Sequence, residues 1–165
     1  MDRDALRSVQ APLKERYREE PAAALVMLRA EGVLGEENVS CSVNTASAIV
    51  EAGLHPATGG DGSQACSGDM LLEALVACSG VTLGAVARSL GIEIKTGTIR
   101  ASGELDFRGT LAVEKDAPVG FRNIRLEFDL DTDASHEQLV TLYKLTKRYC
   151  VIYQTLASPP ELELV

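Results

Sequence analysis

Residues 67–91 read Ser-Gly-Asp-Met-Leu-Leu-Glu-Ala-Leu-Val-Ala-Cys-Ser-Gly-Val-Thr-Leu-Gly-Ala-Val-Ala-Arg-Ser-Leu-Gly, and the fold turns on how they are understood. Ser67 is a good N-cap, because its hydroxyl can accept from an otherwise orphan backbone N–H. Gly91 most easily takes the left-handed conformation that closes a helix. Between Glu73 and Arg88 no residue is charged, and alanine, leucine and valine occupy every face. A helix that is apolar all round is a buried helix. Its 14 uncharged residues (74–87) fall short of the roughly 20 that cross a bilayer. Cys78 stands in the middle, with small neighbours Ala77, Ser79 and Gly80 that let other backbone or a second chain come close. Such a thiol is either a small hydrophobe, as most buried cysteines are, or a nucleophile.

Composition narrows the choice. The 165 residues suit one domain. They are 45% hydrophobic with no tryptophan and three phenylalanines, so the core is aliphatic. Sixteen basic and 24 acidic residues give a formal net charge of −8, which argues against nucleic acid or an anionic membrane as partner. Met1-Asp2-Arg3-Asp4 opens no apolar run, so no signal peptide is expected and the cytoplasm is the expected location. Thiols there are mostly reduced, and a disulfide is more often catalytic than structural. Cys41, Cys66, Cys78 and Cys150 show neither zinc-knuckle nor thioredoxin-type spacing, and His55 and His136 stand alone. No metal and no cofactor is expected.

Outward from the helix, Leu6, Val9, Leu13 and Tyr17 form a helical stripe of one or two short surface helices, in which Pro12 can start a second piece and which Pro21 ends. Residues 22–33 and 38–51 read as extended, joined by a turn at 35–38. Val39, Cys41 and Val43 alternate with polar residues, which turns Cys41 to the core. Residues 52–66 form a Gly-rich loop without a phosphate-binding pattern, ending at Cys66 beside the helix start. Strands are predicted at 92–101, 105–114 and 124–130. In the last, Ile124, Leu126, Phe128 and Leu130 alternate strictly with charged residues. Ser135 and Gln138 have capping-box spacing. Leu139, Leu142, Tyr143, Thr146, Tyr149 and Cys150 then share one face of a helix. Residues 151–156 continue as a short helix, Pro159-Pro160 breaks it, and 161–165 alternates as a final strand. The class is α+β, with an antiparallel sheet around a buried central helix. One sheet covers one side of that helix, so a homodimer partner is the natural cover for the rest.

Two segments carry a resemblance: Gly-Asp-Met-Leu-Leu-Glu-Ala-Leu-Val-Ala-Cys ending at Cys78, and Leu-Thr-Lys-Arg-Tyr-Cys ending at Cys150, 72 residues later. In these segments and in element order the chain resembles the OsmC/Ohr family (osmotically inducible protein C and organic hydroperoxide resistance proteins). The resemblance covers residues 22–165, leaving residues 1–21 as an N-terminal helical extension. It implies an intertwined homodimer with sites at the interface, an organic hydroperoxide as substrate and a dithiol reductant. Cys78 then attacks the peroxide and Cys150 resolves the product as a disulfide. Asp69 takes the place of the family's glutamate, and Arg29, the one arginine of the first hairpin region, supplies the cation. Val151 stands where the family commonly has proline. The chemistry is coherent, since a thiolate is the nucleophile and an arginine held by a carboxylate favours it. Two alternatives stay open: an OsmC-fold protein that binds or senses a small apolar molecule with little or no peroxidase activity, and an assembly protein with inert thiols.

Overall fold

The computed structural model describes residues 3–34, 41–43, 52–63 and 65–164, with backbone alone at 3–7, 9–10, 27–30, 33–34, 41–43 and 52. The predicted turn at 35–38 and most of the second extended segment lie outside these residues.

Helix α1 (Arg3–Glu19) runs unbroken with Pro12 inside it. Of the one or two helices expected, one forms: residues 8, 11 and 12 are exposed, so water can satisfy the carbonyl that proline leaves without a donor. A 3-10 turn over Pro21–Ala24 follows, where extended chain was expected from Ala22. Strand β1 (Leu25–Leu34) pairs antiparallel with β2 (Cys41–Val43), Gly32 opposite Val43 and Leu34 opposite Cys41. The stretch 52–66 is more ordered than a loop. Its ends, β3 (Ala52–Gly53) and β4 (Ala65–Cys66), pair in parallel around a 3-10 turn at Pro56–Thr58.

Helix α2 (Ser67–Ser89) matches the predicted central helix. Gly91 is left-handed (φ 68°), and the Ile92 N–H reaches back across it to the Ala87 carbonyl at 2.9 Å, closing the helix as expected. By length and composition α2 could cross a membrane. Yet Leu72, Leu75, Val76 and Leu83 are at most 2% exposed within the chain, as in a core helix. Its burial is not complete all round. Leu71 and Val81 are 37% and 39% exposed, and with Ala74 and Ala85 they form a stripe at three-and-four spacing. Half-buried Cys78 lies on that stripe.

Strand β5 (Thr96–Asp106) begins four residues later than predicted and gives way to a short helix, α3 (Phe107–Thr110), where residues 105–114 were expected to be extended. The Asp106 carboxylate causes the change: it accepts the Arg108 N–H (3.1 Å) and caps the turn. Strand β6 (Phe121–Asp131) alternates half-buried and exposed residues from Ile124 onward, as its pattern predicts. Helix α4 (His136–Tyr149) starts on the expected Ser135–Gln138 capping box, and α5 (Val151–Ala157) follows. Leu142, Thr146 and Cys150 are buried as their spacing implied, whereas Tyr149 is 57% exposed. Residues 161–164 form no strand; Leu162 and Leu164 are fully in solvent. Alternation alone makes no strand without an edge to pair with. The four-stranded antiparallel sheet has the order β2-β1-β5-β6.

Two compact units share these elements. Unit 1 comprises residues 1–29, 45–72 and 102–125; unit 2 comprises residues 30–44, 73–101 and 126–165. Unit 1 is built on Tyr17, Ala24, Phe107 and Leu111, and the Tyr17 hydroxyl donates to the Ala57 carbonyl at 2.6 Å. Unit 2 is built on Leu83, Ala87, Ile92 and Leu142, flanked by the stacked rings of Phe128 and Tyr143 (centroids 5.4 Å).

Candidate functional site

Cys150 sits at a corner of the chain. It is the C-cap of α4 and the N-cap of α5, with extended backbone (φ −72°, ψ 109°) that stops one helix and starts the next. Its N–H donates to the Thr146 carbonyl at 2.9 Å. Its Sγ accepts the Tyr153 N–H at 3.4 Å, doing for α5 what a serine hydroxyl does at an ordinary cap. The side chain is 1% exposed. Burial pushes the thiol up to about 11; the Tyr153 amide opposes this, and the neighbouring Cys78 adds to it by hydrogen bonding and by charge. Both thiols named by the sequence are free, and the acidity of Cys150 is coupled to Cys78.

Cys78 owes its setting to α2. Ser79, next in sequence, is fully buried and donates to the Val76 carbonyl at 3.1 Å, so its hydroxyl is already used. Cys78 itself lies on the half-open apolar stripe and so faces outward more than Cys150 does. Another buried polar side chain lies on α4. Thr146, one turn before Cys150, is 2% exposed, and its Oγ1 has no hydrogen-bond partner among the described residues. The sequence showed Thr146 only as a member of an apolar face. The available signal was a hydroxyl four residues before the second cysteine, inside a stripe otherwise free of small polar residues.

The remaining predicted residues divide differently. Asp69 lies in the first turn of α2 and belongs to unit 1. Burial raises its carboxyl above the usual carboxylate range, and the charge of His55 partly restrains that rise. His55 is not isolated as the sequence implied. Its Nδ1 accepts the Ala57 N–H at 3.0 Å, which leaves the proton on Nε2 in the neutral ring. The ring also stacks on Phe107 (5.0 Å, 17°). Arg29 lies in β1, where only its backbone is described. Cys66 is a half-buried free thiol on β4 in unit 1, whereas Cys78 and Cys150 both belong to unit 2. Among the described residues no three His, Cys, Asp or Glu side chains gather to hold a metal.

Two neighbouring thiols can exchange two electrons with an oxidant and end as a disulfide. The two differ in exposure: Cys78 is half-buried and Cys150 is buried.

Comparison with known proteins bears on the fold and the family. The family described as OsmC-like protein matches residues 60–165. No curated protein matches the sequence significantly. Among solved structures, the chain is similar to an OsmC-like hydroperoxide resistance protein from Jannaschia sp. CCS1, with a TM-score of 0.61 and 16% identity over 84% of this chain and 91% of that one. It is also similar to an OsmC-like protein from Mycoplasma pneumoniae, with a TM-score of 0.57 and 17% identity over 82% and 86% of the two chains. At these identities the two structures speak for the fold alone.

Proposed function

Since the chain belongs to the OsmC-like protein family, we propose that it is a thiol-dependent peroxidase that reduces organic hydroperoxides through Cys78 and Cys150. The observation that carries this reading is the pairing of a half-open thiol with a buried neighbour whose acidity it perturbs.

The Cys78 thiolate attacks the outer peroxide oxygen, and the O–O bond breaks. The alkoxide leaves as an alcohol with a proton from solvent, and Cys78 becomes a sulfenic acid. Cys150 then attacks the Cys78 sulfur, the S–O bond breaks, and water and a disulfide result. A dithiol reductant restores both thiols. The apolar stripe of Leu71, Ala74, Val81 and Ala85 beside Cys78 favours alkyl hydroperoxides over hydrogen peroxide. A second copy of the chain covers the rest of the stripe, as one sheet leaves it open, and the protein works in the cytoplasm.

The test is rapid consumption of cumene hydroperoxide against hydrogen peroxide with dithiothreitol as reductant, followed by non-reducing peptide mapping. Faster turnover of cumene hydroperoxide and a 78–150 disulfide are expected. A dominant 66–78 linkage would make the loop cysteine the resolver instead. No consumption above the protein-free rate ends the peroxidase reading and leaves binding of a small apolar molecule as the role of the fold. Sedimentation at micromolar concentration should give twice the mass of one chain, and a stable monomer would remove the dimer.

A further inference from the structure

Thr146 has a place in the chemistry that its sequence position did not suggest. Leu142 of α4 packs in one cluster with Leu83 and Ala87 of α2, and Cys150, two turns later on α4, neighbours Cys78, which precedes Leu83. Moving forward along α4 therefore means moving backward along α2, so these segments run antiparallel. With about 1.5 Å of rise per residue on each helix, Thr146 falls midway between these two contacts, on the face of α4 that carries Leu142 and Cys150.

The hydroxyl-bearing side chains here are closed to water. Ser79 is 0% and Thr146 2% exposed. A threonine within a helix ordinarily donates to the carbonyl one turn back, as Thr141 of the same helix does to Glu137 at 3.0 Å. Thr146 does not, and its Oγ1 is unpaired among the described residues. An orphan hydroxyl in a buried site costs free energy, so its presence beside two thiols asks for an occasional partner. The thiol chemistry produces one, because Cys78 carries an oxygen after the first step and has none before or after. The second step also moves a proton. The Cys150 thiol, pushed up to about 11 chiefly by burial, still holds its proton near neutrality, and the departing oxygen must gain one to leave as water.

We infer that Thr146 Oγ1 relays this proton, accepting from the Cys150 thiol while donating to the sulfenic oxygen on Cys78. A hydroxyl is both donor and acceptor and can do both at once. The balance is Cys78–SOH plus Cys150–SH giving the 78–150 disulfide and water, with Thr146 unchanged. This inference rests on the peroxidase reading and concerns only its second step.

The test compares wild type, Thr146→Val and Thr146→Ser in single-turnover reactions with cumene hydroperoxide. Loss of the Cys78 thiol reports the first step; disulfide closure and Cys78 sulfinate, both by mass spectrometry of quenched samples, report the second. Thr146→Val keeps the shape and removes the orphan hydroxyl, so its thermal midpoint should hold or rise; Thr146→Ala serves as a second hydroxyl-free variant. Both should lose the Cys78 thiol within twofold of the wild-type rate, close the disulfide at least tenfold more slowly, and accumulate sulfinate. Thr146→Ser should close within threefold of wild type. Closure at the wild-type rate without the hydroxyl, or equal slowing in the serine variant, overturns the relay and leaves the peroxidase reading intact. A wild type whose Cys78 thiol survives cumene hydroperoxide ends both.

Discussion

Asp106 in unit 1 and Cys150 in unit 2 are about equally withdrawn from solvent, 2% and 1% exposed, but the fold treats them in opposite ways. Asp106 is saturated. Its carboxylate accepts the Arg108 backbone N–H at 3.1 Å, Nε at 3.0 Å and Nη2 at 2.6 Å, the parallel two-bond pairing that guanidinium and carboxylate make best. Those bonds hold its carboxyl below the usual range in spite of burial. Cys150 has a weak sulfur contact with the Tyr153 amide, a coupling to Cys78 and a thiol driven upward, with an unpaired Thr146 hydroxyl a turn away. A buried polar group with every bond made can only stabilise. One left partly unsatisfied costs stability and retains the capacity to react.

That contrast predicts a double dissociation. The largest effect belongs to Cys78→Ser, because a serine hydroxyl without an adjacent base stays protonated and cannot replace the thiolate. Peroxide consumption should fall by about a thousandfold or more, with the thermal midpoint within a few degrees of wild type. Cys150→Ser should still oxidise once at Cys78 and then stall as sulfenic or sulfinic acid, visible by mass spectrometry. Undiminished turnover in Cys78→Ser would break the contrast, since unit 2 would then hold nothing reactive.

Asp106→Asn should do the reverse. It removes the charge pairing at a buried carboxylate, and the midpoint should drop by roughly 5–10 °C. Turnover per folded molecule should stay within twofold of wild type. A loss of rate without a loss of stability would mean that Asp106 itself takes part in the chemistry.

The smallest effect is a shape, the pH profile of stability. The folded-state value of Asp106 is depressed, so its contribution is present above the unfolded value of about 4 and is lost as pH falls through the folded one. Cys150 is raised from 9.0 to about 11, so its contribution is complete below pH 9 and is lost as pH rises toward 11. Asp106→Asn should flatten the acid limb alone. Cys150→Ser should flatten part of the alkaline limb, the remainder belonging to Tyr17 and Tyr143, both raised by burial. These limbs are read from denaturation midpoints across pH; an alkaline limb unchanged by Cys150→Ser would show that its thiol is not held protonated by the fold.

What was legible in the sequence follows the same division. Features written in local pattern came through: the Ser135–Gln138 box, the alternation of β6, the left-handed Gly91 and the shared face of Leu142, Thr146 and Cys150. Features set by a particular side-chain bond or a missing partner did not. Residues 107–110 are helical because Asp106 captures Arg108, and nothing in the hydrophobic spacing announces that capture. Residues 161–164 alternate without pairing, for want of a strand edge. Of the four cysteines, Cys78 and Cys150 were singled out by the family resemblance of the segments that end on them. The unpaired state of Thr146 depends on which carbonyl it ignores, and the link between His55 and Asp69 on a fold of residues 52–66 that the glycines concealed.

Helix α5 begins on a sulfur atom, which makes its first turn a readout of oxidation state. The Tyr153 amide is held by the Cys150 sulfur. Once that sulfur is tied into a disulfide it turns toward its new partner and becomes a poorer acceptor, so the amide is released. In a nitrogen-labelled sample the Tyr153 resonance should move and its hydrogen exchange should quicken on oxidation, then recover on reduction. The molecule thus carries an intrinsic probe of its own cycle, needing neither an added dye nor a consumed substrate.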